Sequence, residues 1–488
     1  IFKEPGPLLL AMMEDMRNKP PAGVATDLPF SPRNAQAFTS NASALIAFDP
    51  PANLRTAQVT EYVVKNLKTG TEKKAQSSPV LMTGLKNGTS YTFSVIARNS
   101  LGSSEPAITK PVIPQAAWTS SVLDSAADGK TVASTTFNGR PAIAYTDTKS
   151  GDLKLATFDG KSWRKVTVDG AGGSSGRTTH NLSGAISMCV NGSGVKQTLH
   201  IFYTDATEKD LRYSTFNGKN FTFETVDGNG PSVNNYEDPI RVRTSSDVSV
   251  ANACVASTSA VQVFYRDESQ GVILGAVKSK GISWRYELVD GDRKTDGRTM
   301  GDVGFHLKAL FDGKKTYVVY DSVLTINQKK QPTSGEIRVA SRATLSGSAW
   351  SYYNIDTSAG AVPMVGFDVD IAKTLTGIQA TWLTSVPSSA TTPSKIRWSP
   401  LQTTPLQNSV TTELYGAPGK FLSTDGSQIA FNCQQRLCVL DSVRAVPTIK
   451  LVTSEQNPDG IDSAWVTVDR VKYLIAGVKG QLSMFRFQ

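Results

Sequence analysis

The sequence predicts an all-β protein in which a small β-sandwich precedes a seven-bladed β-propeller, with six blades as the alternative. Short alternating strands fill residues 31–114, and a four-strand pattern then repeats from residue 115 to residue 488. No stretch of about 18 apolar residues occurs, so no membrane span is expected. The chain is 39% hydrophobic and 19% charged with 39 Gly, a composition that disfavours a coiled coil or a long disordered tail.

The charge is basic but evenly spread. The chain has 51 Lys and Arg against 42 Asp and Glu, a net charge of +9, and the two signs alternate along its length. A nucleic-acid-binding protein usually concentrates its basic residues on one face or in one segment. We therefore expect no nucleic-acid partner, while a diffuse excess of this kind specifies no other partner.

Residues 1–30 are predicted to form an N-terminal arm. The segment LLLAMMEDMR can make a short helix before Pro20 and Pro21 stop it, and a helix of that length is marginal alone. We expect the arm either to pack on its own protein or to dock on a neighbouring subunit and mediate self-assembly. Its apolar residues are Leu8, Leu9, Leu10, Met12, Met13 and Met16.

Residues 31–114 contain the marks of a known sandwich. Phe48-Asp49-Pro50-Pro51 is followed by Gly84-Leu85-Lys86-Asn87-Gly88-Thr89-Ser90-Tyr91, and the turn from Ala97 to Ser103 comes next. These segments resemble the fibronectin type III family, with Phe48 in the place of its usual core Trp. The resemblance implies a tyrosine corner, in which the hydroxyl of Tyr91 finds a hydrogen-bond partner.

From residue 115 the repeat is that of a propeller. Four stretches, which begin at Arg140, Gln197, Val261 and Lys315, each give a strand ending in Tyr-x-Asp or Tyr-Asp, a loop, a strand, a Gly turn and a further strand. With the strand that precedes each stretch, the unit has the four strands of a propeller blade. Three weaker units follow, and the sixth is short. The repeat resembles secreted sialidase-like and BNR-repeat propellers, which implies a bacterial, extracellular setting more than it implies an activity.

The last unit lacks its outer strand. Residues 118–124, WTSSVLD, stand alone before the first unit and have the same form as the outer strand WRKVTVD at residues 163–169. We expect residues 118–124 to complete the last blade, because this closure hides an otherwise open sheet edge.

Three inter-blade loops are long and carry arginine. Gly176-Arg177-Thr178 and Gly297-Arg298-Thr299 repeat one tripeptide, and guanidinium groups that converge suit a carboxylate, sulfate or phosphate. The alternative is that these arginines pair with local aspartates such as Asp238, Asp296 and Asp302 and hold the loops. The residues predicted to bind a ligand at the propeller mouth are Arg177, Arg241, Arg243, Arg298 and Tyr236.

Aspartate also recurs before a tight turn in each of the four clear units. The position allows a metal or acid–base role, but a carboxylate there usually caps backbone NH groups of its own loop, and capping is the favoured interpretation. The four residues are Asp147, Asp205, Asp267 and Asp321.

The four cysteines are predicted to form disulfides. Cys433 and Cys438 are spaced for a bridge across a hairpin, and Cys189 and Cys254 occupy matching positions on inner strands of adjacent blades. The spacing does not fit a metal site, and the whole chain has 3 His. We therefore expect no metal or cofactor, and an oxidising compartment such as the cell surface or the medium.

Together these features predict an extracellular binding protein that recognises a glycan, an anionic surface polymer or a protein partner. The alternative is a carbohydrate-active enzyme, a glycoside hydrolase or polysaccharide lyase, that uses the propeller mouth; a structural coat or filament subunit is the third possibility. Residues 158–163, FDGKSW, are similar to the Asp box of sialidases but lack the residue between Asp and Gly. No catalytic residues are assigned.

Overall fold

The computed structural model describes residues 27–51, 58–115, 118–172, 176–194, 196–228, 247–292, 296–326, 328, 332–358, 364–385, 394–401, 410–414, 421–433, 435–441, 449–457 and 460–487. These residues form strands, turns and bends, and the fold is all-β. Within these ranges there is no helix that is long and apolar enough to cross a membrane. The predicted arm, apart from residues 27–30, lies outside the described residues.

The chain divides into two compact units. The first unit contains eight strands from the N-terminal part and one short strand from residues 449–451. Its strands are β1 (Arg33–Ser40), β2 (Ser43–Asp49), β3 (Glu61–Asn66), β4 (Glu72–Ala75), β5 (Val80–Thr83), β6 (Phe93–Asn99), β7 (Gly102–Ser103), β8 (Ala107–Ile108) and, later in the chain, β33 (Ile449–Leu451).

The first unit is a sandwich. The strands β1, β2 and β5 pair in that order, and β4, β3, β6 and β7 form the facing sheet, with β8 on β6. Phe48, Tyr62 and Phe93 are buried between the sheets. The hydroxyl of Tyr91 accepts a hydrogen bond from the Lys86 amide at 2.9 Å, as the predicted tyrosine corner requires.

The second unit is the propeller. Its blades 1 to 3 are β10 (Val132–Phe137), β11 (Arg140–Asp147), β12 (Asp152–Phe158) and β13 (Trp163–Asp169); β14 (Ile186–Asn191), β15 (Thr198–Asp205), β16 (Asp210–Phe216) and β17 (Phe221–Asp227); and β18 (Asn252–Ala256), β19 (Ala260–Asp267), β20 (Val272–Ser279) and β21 (Arg285–Asp290). Blades 4 and 5 are β22 (Asp302–Phe311), β23 (Thr316–Ile326), β24 (Pro332–Arg342) and β25 (Ser351–Ser358); and β26 (Met364–Thr374), β27 (Gly377–Ser385), β28 (Ser394–Pro400) and β29 (Val410–Leu414).

Blades 6 and 7 complete the ring. They are β30 (Ser423–Thr424), β31 (Gln428–Cys433) and β32 (Arg436–Asp441); and β34 (Ser463–Val468), β35 (Val471–Val478), β36 (Gln481–Phe487) and β9 (Trp118–Asp124). The first strand of each blade lies next to the first strand of the following blade, and β34 contacts β10. The described strands therefore close a ring of seven sheets.

The predicted closure by residues 118–124 is confirmed. β9 pairs antiparallel with β36, with Ser121 opposite Met484 and Trp118 opposite Phe487. Trp118 also lies against Phe487, with ring centroids 5.6 Å apart. An early segment of the propeller unit thus covers the edge that the end of the chain would leave open.

A buried hydrogen bond links successive blades. The aspartate that ends the outer strand of one blade accepts a hydrogen bond from a tyrosine on the second strand of the next blade; we call the two residues the latch aspartate and the latch tyrosine. The four pairs are Asp124–Tyr145 at 2.8 Å, Asp169–Tyr203 at 2.6 Å, Asp227–Tyr265 at 2.6 Å and Asp290–Tyr320 at 2.5 Å. Asp356 holds the next junction by accepting from Trp382 Nε1 at 2.7 Å.

The latch aspartates are buried, so each carboxylate needs several partners. Asp169 accepts from the Gly170 and Thr178 amides as well as from Tyr203, and Arg212 adds an ion pair at 3.1 Å. Burial and the nearby carboxylate of Asp169 raise the pKa of Tyr203 far above its usual range, so the phenol remains a hydrogen-bond donor. The 1–2 junction thus joins two blades through a buried carboxylate with four partners.

Substitution of a latch tyrosine should weaken the propeller. We expect Tyr203→Phe to lower the free energy of unfolding by about 1 to 3 kcal/mol, because it removes one donor from a buried carboxylate and keeps the ring. A double-mutant cycle with Asp169→Ala, followed by urea denaturation, should give a coupling energy of about 1 kcal/mol or more. Tyr473→Phe, which alters no latch, is the control. Additive losses would show that the pair does not couple the blades.

Candidate functional site

The repeated Gly-Arg-Thr tripeptide is part of the latch. The Thr178 and Thr299 amides donate to Asp169 and Asp290, each at 2.7 Å. The Gly176 carbonyl accepts from Arg212 Nη2 at 2.6 Å, and the Gly297 carbonyl accepts from Arg338 Nη2 at 2.7 Å. The first and third residues of the tripeptide therefore have a structural reason to recur.

The middle arginines have different surroundings. Arg298 Nε lies 3.0 Å from Asp296 and 3.3 Å from Asp292, and its side chain is 8% exposed. Arg177 donates to the Thr167 carbonyl at 3.3 Å and lies over the ring of Phe223. Arg298 is thus in the ion-paired arrangement that the sequence allows as the alternative to ligand binding.

The predicted ligand site also includes three residues on the loop that follows blade 2. Arg241, Arg243 and Tyr236, together with Asp238, fall in residues 229–246, outside the described residues. Asp302, the remaining aspartate considered as a loop partner, pairs with Arg266 at 2.7 Å. Convergence of the four arginines on one ligand stays a prediction.

The turn aspartates cap their own loops in three of four cases. Asp147 accepts from the Lys149 amide, Asp205 from the Thr207 and Glu208 amides, and Asp267 from the Ser269 and Gln270 amides. Asp321 instead accepts from the His306 amide and lies 2.9 Å from the His306 ring nitrogen Nδ1. Among the described residues, no group of three or more His, Cys, Asp and Glu side chains is arranged to hold a metal ion.

Both predicted cysteine pairs are joined in the structure. Cys189 on β14 bonds to Cys254 on β18, with Cα atoms 5.9 Å apart, and links the inner strands of blades 2 and 3. Cys433 bonds to Cys438 across the β31–β32 hairpin, with Cα atoms 5.8 Å apart.

The inner strands carry a charged cluster around Lys308 on β22. Desolvation by the surrounding strands lowers the pKa of Lys308, but the carboxylates of Asp370, Asp368 and Asp462 outweigh this effect and raise it. Burial also raises the pKa of Asp370, and it raises that of Asp462 to about 6. With three carboxylates around one ammonium group, this part of the inner surface disfavours an anion at neutral pH.

A more informative feature lies at the ends of the third strands. The second-strand residue four positions before the latch tyrosine pairs with a residue at the end of the third strand. This third-strand residue is Phe216 in blade 2, Lys278 in blade 3 and Arg342 in blade 4. An aromatic residue follows at or just before the start of each outer strand. These aromatic residues are Phe221, Trp284 and Trp350 in blades 2, 3 and 4, and blade 1 has the cross-strand pair Phe158 and Trp163.

The third-strand position and its aromatic neighbour are thus occupied in two different ways within this protein. At the blade 7–1 and 1–2 junctions the position is an aromatic pair, with centroids 5.4 Å apart for Phe158–Trp163 and 4.4 Å for Phe216–Phe221. At the 2–3 and 3–4 junctions a cation replaces the first aromatic residue, and a glutamate stands three residues before the latch aspartate of the preceding blade. These glutamates are Glu224 and Glu287.

At the 2–3 junction, Glu224, Lys278 and Trp284 form what we call the open triad. Lys278 Nζ lies 2.5 Å from each carboxylate oxygen of Glu224, and Trp284 Nε1 donates to Glu224 at 3.1 Å. The ammonium nitrogen is 5.4 Å from the Trp284 ring centroid. The lysine and glutamate side chains are 27% and 39% exposed, so solvent reaches the ion pair.

Behind the open triad lies a buried histidine. His200 Nδ1 is 2.6 Å from the Tyr213 hydroxyl, and burial lowers the pKa of His200 to about 4, so the imidazole is neutral at pH 7. His200 Nε2 is buried without a hydrogen-bond partner among the described residues. Burial, followed by the charge of Glu224, raises the pKa of Tyr213 beyond its usual range.

At the 3–4 junction, Glu287, Arg342 and Trp350 form the closed triad. Arg342 donates to Glu287 at 2.9 Å and to Gln262 at 2.5 Å, and Trp350 Nε1 donates to Glu287 at 3.3 Å. The Arg342 side chain has 0% exposure. Gln262 and the longer arginine therefore seal this junction, whereas its neighbour remains accessible.

Sequence reasoning missed both triads. Glu224 and Glu287 each lie three residues before an Asp-Gly pair, and Trp284 and Trp350 follow 60 and 63 residues later, so a signal was present. Its meaning depends on knowing that the outer strand of one blade faces the third strand of the next.

Comparison with known proteins identifies the segment that contains the first unit. The fibronectin type III domain model matches residues 30–111, which confirms that resemblance for this segment. No curated protein matches the chain.

Several solved structures are similar to parts of the chain. The protein described as FN3tt mut is 20% identical with a TM-score of 0.16, over 18% of this chain and 97% of that one. The twitchin kinase region from C. elegans is 26% identical with a TM-score of 0.17, over 18% of this chain and 17% of that one, so the match spans a small part of twitchin. The six-bladed propeller lectin of Aleuria aurantia, described with a fucose recognition mode, is 13% identical with a TM-score of 0.38, over 67% and 96%.

Substitution can test whether Arg177 and Arg298 bind an anion or only hold their own loops. Because Arg298 is already neutralised by Asp292 and Asp296, we expect Arg298→Ala to lower the free energy of unfolding by about 1 kcal/mol through loss of loop contacts. Binding of dextran sulfate should be unchanged in Arg298→Ala and in the double variant with Arg177→Ala. A more than tenfold loss of affinity in the double variant, with affinity that falls as salt rises, would instead support the anion site.

Proposed function

We propose that this protein is an extracellular glycan-binding protein, and that the open triad of Glu224, Lys278 and Trp284 contacts the glycan. One observation carries the proposal. At the 7–1 and 1–2 junctions an aromatic residue fills the lysine position, and at the 1–2 junction Val166 fills the glutamate position, so blade packing at that junction needs neither charged residue. A partly exposed ion pair contributes little to stability, which favours a role in recognition.

The chemistry of the triad suits a polyhydroxylated ligand. The Glu224 carboxylate accepts hydrogen bonds from hydroxyl groups, and the Lys278 ammonium donates to hydroxyl oxygens, so two adjacent hydroxyls can bridge the pair. Hydrogen bonds to charged groups are the stronger ones, at about 1.5 to 3 kcal/mol each. The partly buried indole of Trp284 supplies an apolar surface for the C–H groups of a sugar ring.

The charge of the triad favours a neutral glycan over an anionic polymer. One carboxylate and one ammonium sum to zero, and Glu224 faces any ligand that Lys278 contacts. A sulfate or carboxylate on the ligand would meet that glutamate at close range, with no second cation in the triad to offset it.

Other features of the molecule support an extracellular location. Two disulfides belong to an oxidising compartment, and the fibronectin type III segment is a common spacer in surface proteins. Self-assembly through the N-terminal arm is a separate proposal, because residues 1–26 carry it and lie outside the described residues.

A glycan array on the purified full chain tests the proposal, with the best neutral glycan then titrated by calorimetry. Lys278→Met should weaken that glycan by about tenfold or more, because it removes one charge-assisted contact and keeps most of the side-chain volume. Folding is checked by the melting temperature, which should change little.

The matched control is Lys472→Met. Lys472 pairs with Asp425 at 2.5 Å and is 51% exposed, so the control removes a similar ion pair between blades 6 and 7. It should leave glycan affinity unchanged. If the protein binds no neutral glycan on the array, or if both variants lose the same glycan affinity, the open triad is refuted as the site.

A further inference from the structure

The two ends of the propeller strands differ in charge. In blades 1 to 5 the turn between the first and second strands and the turn between the third and fourth strands emerge at one end, which we call the turn face; the latch aspartates lie at the other end. At the latch end, the second and fourth strands of blades 1 to 3 all finish with an aspartate. At the turn face, no described strand of blades 1 to 5 begins or ends with an acidic residue.

The turns of the turn face are rich in lysine. Across blades 1 to 5 they contain six lysines, and their acidic residues are Asp159 and Asp312. All six lysines are exposed, and none of them forms an ion pair with another described residue. Arg140 and Arg285, which begin the strands after two of these turns, are exposed as well. The six lysines are Lys161, Lys196, Lys219, Lys280, Lys314 and Lys315.

The aspartates at this end of the propeller have a structural role. Asp159, Asp312 and Asp425 of blade 6 each accept hydrogen bonds from the amides two and three residues later, at 2.7 to 2.8 Å. Such bonds hold a tight turn in place. The corresponding turn of blade 7 holds Asp469 and Arg470, whose charges balance. The basic excess therefore belongs to blades 1 to 5, and the lysine side chains are not needed to build the turns.

Two of the same turns expose aliphatic side chains. Leu375, in the turn after β26, is fully exposed, and Ile282, in the turn after β20, is 54% exposed. Lys373 and Lys280 stand two residues before them and are exposed too. Single exposed aliphatic residues are ordinary on a protein surface. Aliphatic residues beside lysines on one basic face, however, match the boundary between lipid headgroups and acyl chains.

From the lysine-rich turns and the exposed aliphatic side chains, we infer that the turn face of blades 1 to 5 docks on an anionic lipid surface. The lysines lie near the headgroup phosphates, and Leu375 and Ile282 insert among the lipids. A soluble polyanion would also attract the lysines, but it would leave both aliphatic side chains in water. Trp284 of the open triad ends the turn that carries Ile282, so vesicles without carbohydrate are needed to test lipid docking apart from glycan binding.

The test measures co-sedimentation of the full chain with vesicles at physiological salt. One set of vesicles is phosphatidylcholine that contains phosphatidylglycerol, and the other is phosphatidylcholine alone. The protein should bind the anionic vesicles at least tenfold more tightly, and this affinity should fall as salt rises. Equal binding to the two kinds of vesicle, or binding to neither, would overturn the inference.

Two triple variants locate the docking face by the same loss of charge. The first replaces one lysine by glutamine in each outer turn of blades 1, 2 and 3, and the second does so at three exposed positions away from the turn face. Each lysine close to an anionic membrane strengthens binding by about fivefold, so the first variant should lose at least tenfold in affinity and the second less than threefold. Equal losses would contradict the site. The variants are Lys161→Gln with Lys219→Gln and Lys280→Gln, and Lys86→Gln with Lys110→Gln and Lys149→Gln.

The aliphatic side chains distinguish a lipid surface from a soluble polyanion. Leu375→Ser with Ile282→Ser should weaken binding to the anionic vesicles at least threefold and leave binding of dextran sulfate unchanged. Met300→Ser is the control, because Met300 is 75% exposed on a loop at the latch end, and it should alter neither affinity. Melting temperatures verify that both variants fold. Vesicle affinity that survives the double substitution would assign the turn face to a soluble polyanion and overturn the inference.

Discussion

The propeller depends on buried carboxylates that are shared between blades. Each latch aspartate ends one sheet and accepts a hydrogen bond from the second strand of the next, at distances of 2.5 to 2.8 Å. A buried carboxylate without partners would cost several kcal/mol, so a blade is complete only when its neighbour is in place. The closure of blade 7 by β9 extends the same bond across the 7–1 junction to Tyr145.

This constraint explains features of the loops that otherwise suggest ligand binding. In the loops after β13 and β21, a threonine amide donates to the latch aspartate and a glycine carbonyl accepts from the arginine that pairs with that aspartate. The arginine between the glycine and the threonine makes only local contacts. For Arg298 these contacts are two aspartates. The tripeptide therefore recurs because its glycine and threonine contact the latch at each of these two junctions, and this reason does not require ligand binding.

Much of the fold was predictable because the signals are local. Strand alternation, the Tyr-x-Asp ends and the form of residues 118–124 are visible in single segments, and each has its counterpart in the structure. The triads were not predicted, because Glu224 and Lys278 are 54 residues apart and meet only when two blades pack.

Two junctions of this molecule fill the same two positions with different residues. Val166 and Phe216 are packed together in an apolar cluster at the 1–2 junction, while Glu224 and Lys278 occupy the matching positions at the 2–3 junction. If the charged pair serves recognition, then folding should tolerate its replacement by the apolar pair. Exchange of an ion pair for well-packed apolar residues is often neutral or stabilising.

The most direct measurement is the unfolding free energy and neutral-glycan affinity of one variant, Glu224→Val with Lys278→Phe. Our account predicts that this variant unfolds at the same or a higher urea concentration and that glycan binding is lost. A variant that is strongly destabilised, or one that is stable and still binds the glycan with unchanged affinity, would contradict it.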